Sequence, residues 1–282
     1  EISACLVGSE MCIRDRLKIR ASYGELGANF LNPYNFDAIA YGPIPYTVGG
    51  ERYVTGRAAY LKSKDLKWET AKTTDIGIEL GFFNNDLTLS LDYFVKKNVD
   101  LLAQIDLNLS SGQIFEINSS REKPYVNTAS VKNTGWEFMM NYRKQLTKDF
   151  HIDATFNIAT LKNKVLSLGE NVQPITSGAM SSYFNDAASI TIPGEAIGSF
   201  YGYKIDGFDA EGNFIFADTD KNGVVNANDK VILGSPIPDF TYGLNINMEY
   251  KDFDLTVFFQ GVQGNDIFNQ KKYTYYFDSV SY

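Results

Sequence analysis

The sequence contains no apolar run of the ~18 or more residues that a membrane-crossing helix requires, so any passage through a bilayer must be made by strands. Histidine is nearly absent, with one in 282 residues, which leaves few candidates for general-base or transition-metal chemistry. There is no basic surplus either. The 26 Lys and Arg stand against 34 Asp and Glu, and this net charge of -8 is the wrong sign for a nucleic-acid groove. No Gly-rich phosphate loop, G-x-S-x-G turn or His-based metal motif occurs, and nothing marks a carboxylate pair for glycoside hydrolysis. The chain is therefore expected not to be an enzyme. Aromatics, in contrast, are plentiful: 20 Phe and 18 Tyr favour strands and interfaces.

Cysteine is confined to Cys5 and Cys12, within residues 1–16. That stretch, including ACLVGSEMCIRDR, has neither strand periodicity nor a helix cap. It resembles translated adapter sequence, and fold reasoning starts after it. The alternative is a short native arm with an incidental cysteine pair. A zinc site is excluded there, because no further Cys or nearby His completes four ligands.

From Leu17 the chain alternates with period two. Leu17, Ile19, Ala21 and Tyr23 point one way, and Lys18, Arg20, Ser22 and Gly24 the other. The same split recurs in Ile76, Ile78, Leu80 and Phe82, and again in Leu87, Leu89, Leu91 and Tyr93, with Asn84-Asn85-Asp86 as a tight turn between them. A second hairpin joins Trp136, Phe138, Met140 and Tyr142 to Ile152, Ala154, Phe156 and Ile158 through Leu146 to Asp149. A third joins Tyr242, Leu244, Ile246, Met248 and Tyr250 to Phe253, Leu255, Val257 and Phe259 through Lys251-Asp252. Seven strands are expected.

Between the tight turns run long Gly-, Ser-, Asn- and Tyr-rich segments, Glu25 to Leu66, Asn98 to Thr134 and Lys162 to Phe240. Strict alternation of short and long connections fits an outer-membrane barrel, which has short periplasmic turns and long extracellular loops. A soluble sandwich has no reason to gather its long loops at one end. Inward charges at Glu79, Asp92, Glu137, Arg143, Asp153 and Glu249 would be costly in a dry core, but water in a barrel lumen solvates them. Tyr23, Phe82, Tyr93, Trp136, Tyr142, Tyr250 and Phe253 are expected at strand ends, as interfacial girdles. The fold class is thus all-β, part of a large antiparallel transmembrane barrel.

Several segments in order carry a resemblance. Leu17-Lys18-Ile19-Arg20-Ala21-Ser22-Tyr23-Gly24 resembles the L-K-[IV]-R-x-S-[YW]-G strand of SusC/RagA proteins, and Leu66-Lys67-Trp68-Glu69-Thr70 their L-x-W-E-x-[ST] segment. Asn133-Thr134-Gly135-Trp136-Glu137, Gly198-Ser199-Phe200-Tyr201-Gly202-Tyr203, Gly234-Ser235-Pro236-Ile237-Pro238-Asp239-Phe240 and Phe258-Phe259-Gln260-Gly261 are similar to further signatures of that family. The resemblance covers Leu17 to the end of the chain. It implies one stretch, residues 17–282, of a 22-stranded TonB-dependent transporter barrel in the outer membrane of a Gram-negative bacterium. The complete protein would carry a plug and a TonB box, work with a SusD-like surface lipoprotein, and import a nutrient, an oligosaccharide or a peptide. The chain is accordingly expected to be an internal piece of a longer protein.

One segment has chemistry of its own. Residues 218–229 follow EF-hand-like spacing, with oxygen donors at loop positions 1, 3 and 5, Gly at 6 and an acid at 12. Asp218, Asp220, Asn222, the Val224 carbonyl, Asn226 through water, and Asp229 would supply the hard oxygens a calcium ion needs. An Asp at the last position resembles dockerin loops. The alternative is an Asx-rich turn held by its own side-chain bonds. A competing function for the whole chain is a soluble, calcium-bearing β-sandwich that stacks sugars on Tyr46, Tyr53, Tyr60, Tyr273 and Tyr275.

Overall fold

The structure, a computed structural model, describes residues 16–28, 40–58, 66–104, 125–169, 172–179, 187–269 and 271. Cys5, Cys12, Tyr60, Tyr273 and Tyr275 lie outside them. Among the described residues no helix is long and apolar enough to cross a membrane.

The strands are β1 (Arg16–Ala28), β2 (Ala40–Val48), β3 (Glu51–Ala58), β4 (Glu69–Phe82), β5 (Leu87–Gln104), β6 (Tyr125–Thr147), β7 (Phe150–Thr160) and β8 (Lys162–Ser167). They continue with β9 (Ile175–Ala179), β10 (Ala187–Thr191), β11 (Ser199–Tyr203), β12 (Ile205–Phe208), β13 (Phe214–Phe216), β14 (Lys230–Gly234), β15 (Phe240–Tyr250) and β16 (Phe253–Gln263). The main sheet runs β1-β4-β5-β6-β7-β15-β16, entirely antiparallel, and these are the seven strands expected from the alternation. β8 adds to the outer part of β6. Three smaller sheets, β14-β11-β10-β9, β12-β13 and β2-β3, form within the segments that sequence alone shows as long connections.

Tight turns fix the register. At the first, Phe83, Asn84 and Asn85 all have positive φ, and the Asp86 amide donates to the Phe83 carbonyl at 3.2 Å. Asn pays little for that conformation, whereas Phe83 is a bulky residue that seldom adopts it. Because strand side chains alternate, a one-residue slip would move every side chain to the other face. The observed register instead lines up apolar residues through all seven strands. One row reads Leu17, Leu80, Leu89, Met140, Phe156, Leu244, Phe259, and its neighbour reads Ile19, Ile78, Leu91, Phe138, Ile158, Tyr242, Gly261.

The height of this band matches a membrane. On β15 the aromatics Phe240 and Tyr250 stand ten residues apart, which is ~33 Å along the strand and ~25 Å across a bilayer at a tilt near 40°, the height of a barrel's apolar belt. At the lower rim Phe150 meets Tyr250 at 6.2 Å, and at the upper rim Tyr93 meets Trp136 at 4.8 Å.

Tyr23, Tyr93, Trp136 and Tyr142 do not end their strands, since β1 continues to Ala28, β5 to Gln104, and β6 begins eleven residues before Trp136, at Tyr125, and runs on past Tyr142 to Thr147. The sheet therefore extends well past the apolar belt at the long-loop end. Beyond the lipid neither face needs to be uniformly apolar, so this extension leaves no period-two signature. It has its own core of Ala129, Val131, Val165 and Leu168, packed by Leu101, Val172 and Ile175.

Candidate functional site

The face opposite the apolar belt is a polar wall. Its rows are Lys18, Glu79, Ser90, Met139, Asn157, Gly243, Gln260 and then Arg20, Gly77, Asp92, Glu137, Ala159, Thr241, Val262. Cross-strand polar contacts tie it together: Arg143 to Asp153 at 2.8 Å, Asn141 to Thr155 at 2.9 Å, and Asn247 to Thr256 at 2.9 Å. At one edge the Arg20 guanidinium donates from Nε to Asp92 Oδ1 at 2.9 Å and from Nη2 to both Asp92 Oδ2 and Ser90 Oγ, while Nη1 lies 3.4 Å from Glu79. Arg16 adds a contact to Glu79 at 2.8 Å. Asp92 is 8% exposed, and a carboxylate so enclosed needs its cation.

This bridge spans a whole strand. Arg20 is on β1 and Asp92 on β5, and between them on β4 lies Gly77, the register partner of both. A Cβ at residue 77 would overlap the Asp92 carboxylate and stand 2.8 Å from Arg20 Nε. Glycine here is the open floor across which the guanidinium reaches. Sequence alone assigns Gly77, Glu79 and Asp92 to the inward face, but it does not show that three distant strands align these residues in one row. A short side chain between inward charges, in D-I-G-I-E, is the only local hint.

The second arrangement is the 218–229 loop, between β13 and β14. Asp218, Asp220 and Asp229 present carboxylate oxygens within 4.8 Å of one another, so the last loop position does fold back to the first. Asp218 accepts from the amides of Asn222 at 3.1 Å and Gly223 at 2.7 Å, and Gly223 has φ +86°. Asp229 is fully buried and accepts from the amides of Thr219 at 2.7 Å, Asp220 at 3.3 Å and Asn226 at 2.8 Å. The bond from the Asn226 amide, opposed by desolvation and joined by the bonds from Asp220 and Thr219, holds its pKa below the usual carboxylate range.

The other expected donors are also engaged. Asn222 Oδ1 accepts from the Val224 amide at 2.8 Å, the Val224 carbonyl from Asn226 Nδ2 at 3.0 Å, and Asn226 Oδ1 from the Asn228 amide at 2.9 Å. The donor set is all oxygen, the kind a hard cation of six to eight ligands takes; Asp218 and Asp220 each accept two hydrogen bonds and keep lone pairs free, whereas Asp229, which also accepts from the Thr219 hydroxyl at 3.3 Å, accepts four. The residues fit calcium; they also fit a self-bonded turn. Of the tyrosines considered for sugar stacking, Tyr53 is exposed, its hydroxyl donates to Glu51 at 3.1 Å, and its register partner across β2 and β3 is Tyr46.

Comparison with known proteins settles the architecture. Residues 13–281 match the family described as TonB dependent receptor-like, beta-barrel. The chain belongs to this family. It is 36% identical over 269 residues to TonB-dependent receptor P3 of Formosa agariphila, covering 89% of this chain and 26% of that protein. It is 30% identical over 262 residues to TonB-dependent receptor SusC of Bacteroides thetaiotaomicron, covering 85% of this chain and 24% of that one. The fold is similar to the RagAB peptide importer in its open-open state, with a TM-score of 0.71 at 22% identity, over 92% of this chain and 27% of that chain.

The chain thus spans about a quarter of the length of these relatives. Receptors of this family are outer-membrane β-barrels of Gram-negative bacteria and are not enzymes. A SusC/RagA-like barrel segment stands, and the soluble β-sandwich does not.

Proposed function

We propose that the chain forms part of the wall of an outer-membrane importer that takes up oligosaccharides or peptides, driven through TonB and assisted by a SusD-like surface lipoprotein. The observation that carries this is the pairing of faces: apolar rows that suit lipid lie back to back with a hydrogen-bonded polar wall that suits a water-filled lumen. Similarity to SusC and to the RagAB peptide importer supports the cargo class and the two-component arrangement. The extension beyond the belt, with its own apolar core, gives a surface lipoprotein a rigid rim to rest on.

Deletion of the full-length gene, followed by growth on defined oligosaccharide or peptide sources, tests the import function. Loss of growth on one source, restored by the gene, is the expected result; unchanged growth and uptake on all of them defeats the proposal. Affinity purification of the tagged receptor from outer membranes should bring down one stoichiometric lipoprotein.

We further propose that Asp218, Asp220, Asn222, Val224, Asn226 and Asp229 hold a calcium ion that stiffens the 218–229 loop outside the membrane. The convergence of three carboxylates around a positive-φ Gly223 supports it. Calorimetry on the purified receptor with millimolar calcium should show heat that Asp218→Asn with Asp220→Asn removes. No heat from the unaltered protein rules the site out.

A further inference from the structure

The outward face carries a second ordered row, above the aromatic rim and made of lysine. Lys72 on β4 pairs in register with Lys97 on β5, Lys97 with Lys132 on β6, and Lys132 with Lys164 on β8. Lys162 follows one step nearer the membrane, opposite Thr134. All share the face of Tyr93 and Trp136, because strand parity is unbroken between Trp136 and Lys132 and between Tyr93 and Lys97. Four ammonium-bearing side chains thus stand on adjacent strands only ~4.8 Å apart, and like charges directly opposite each other destabilise a sheet. Lys72 is answered by Glu25 at 3.1 Å. Among the described residues Lys97, Lys132, Lys162 and Lys164 have no such partner. The lumenal arginines Arg16, Arg20 and Arg143, by contrast, each meet a carboxylate.

Depth says which anion the row suits. The row lies four residues above the Tyr93–Trp136 pair, ~13 Å along the strand and ~10 Å along the membrane normal at a tilt near 40°. Lysine stems reach back several ångströms, which brings the ammonium groups to headgroup level. A cleft of about 740 Å³ joins the two layers, lined by Tyr93 and Trp136 on its aromatic side and by Lys162 and Lys164 on its cationic side, with Glu195 and Asp239 also in its wall. Such a cleft is amphipathic in the sense a lipid is.

We propose that Lys97, Lys132, Lys162 and Lys164 form a binding site for the phosphorylated headgroup of an outer-leaflet glycolipid, whose first acyl carbons lie against Tyr93 and Trp136. The proposal rests on the barrel's orientation in the outer membrane. It adds a lipid contact distinct from the cargo path.

The full-length receptor is placed in phosphatidylethanolamine nanodiscs doped with either bisphosphorylated lipid A or its dephosphorylated form, and bound glycolipid is measured by native mass spectrometry. Each lysine near an anionic surface is worth roughly a fivefold change in affinity, so Lys97→Gln, Lys132→Gln and Lys164→Gln together should weaken the phosphorylated lipid on the order of 100-fold. The dephosphorylated lipid should bind both proteins equally weakly, and the triple Lys→Arg variant should keep wild-type binding. Equal binding of the two lipids by the wild-type receptor, or no loss in the Gln variant, overturns the proposal. Full displacement by millimolar inorganic phosphate would overturn it in favour of a free-anion site, and an acidic protein retained through the same lysines without glycolipid would overturn it in favour of a protein contact. Should the Gln variant fail to fold, as judged by heat-modifiable migration, the two-lipid comparison on the wild-type receptor still decides. Failure to insert into either nanodisc would instead count against the barrel itself.

Discussion

Replacing Gly77 by alanine should weaken the barrel wall, while the same replacement at Gly24 should not. At Gly77 the new Cβ overlaps the Asp92 carboxylate and crowds Arg20 Nε, so the guanidinium can no longer hold both oxygens. Two charge-assisted hydrogen bonds are at stake, each worth ~1.5–3 kcal/mol when wholly lost. The Arg20 side chain is 39% exposed, and solvent screening discounts that figure. Alanine also returns ~0.5–1 kcal/mol through the less flexible unfolded chain. The net expectation for Gly77→Ala is a loss of about 1–2 kcal/mol. Nothing lies within 4 Å of a Cβ built on Gly24, so Gly24→Ala should be neutral or gain ~0.5 kcal/mol. Urea unfolding of the full-length receptor in detergent, followed by tryptophan fluorescence, compares the two. A double-mutant cycle isolates the cause, because in an Asp92→Ala background Gly77→Ala should cost little. If Gly77→Ala proves as stable as Gly24→Ala, or costs the same with Asp92 absent, the guanidinium bridge across β4 is not what the glycine serves.

Other outcomes follow from the extension and its loops. Val165 is fully buried, and Val165→Ala should cost about 2 kcal/mol, visible as faster proteolysis of the 125–175 region with the belt strands still protected. Asp229→Ala removes the acceptor for three backbone amides, so amide exchange at Thr219, Asp220 and Asn226 should rise sharply, whereas Asp218→Ala should expose chiefly Gly223, because the Asn222 amide also donates to Asp220 at 3.1 Å. Asp209 caps the β12–β13 turn, and its bonds from the Asn213 side chain and amide, with those from Glu211 and Gly212, hold its pKa below the usual carboxylate value. A depressed folded pKa gives stability that is complete above the unfolded value and fades as pH falls toward the folded one. The amides of Glu211 and Asn213 should therefore lose protection only below about pH 4, and an Asp209→Asn variant should remove that pH dependence.

The belt was legible because lipid imposes a rule on every second residue, and chemistry that breaks the rule is expensive. Leu17 to Tyr23, Ile76 to Phe82 and Tyr242 to Tyr250 therefore announce both their strand state and their face. The turn at Asn84-Asn85-Asp86 was legible for a local reason, the tolerance of Asn and Asp for left-handed backbone. Past the rim the rule lapses. β5 beyond Asn98 and β6 before Thr134 look like connection in the sequence, yet they are paired strand, and β8 to β14 leave no periodic trace. The carboxylates of the 218–229 loop could be grouped from spacing alone, since a loop of twelve residues carries its geometry with it. The Arg20–Gly77–Asp92 bridge and the lysine row could not, because each depends on the register of three or more strands at once.

The first of two register shifts between β5 and β6 lets one strand serve both environments. Up to Lys97 the odd-numbered side chains of β5 face lipid, as Leu89, Leu91 and Tyr93 show. Had that alternation continued, Leu101 would stand on the lysine-bearing outer face. Between Asn98 and Leu101 the register with β6 shifts, and Asp100 has φ +55°. One extra residue on one strand inverts its parity, as a β-bulge does. Leu101 thereby comes opposite Ala129, which shares the inner face with Val131, and packs into the core with Val165 and Leu168. The bulge sits just above the lysine row, where lipid no longer dictates which face is apolar. It is the point at which the sheet stops being organised by the bilayer and starts being organised by its own core.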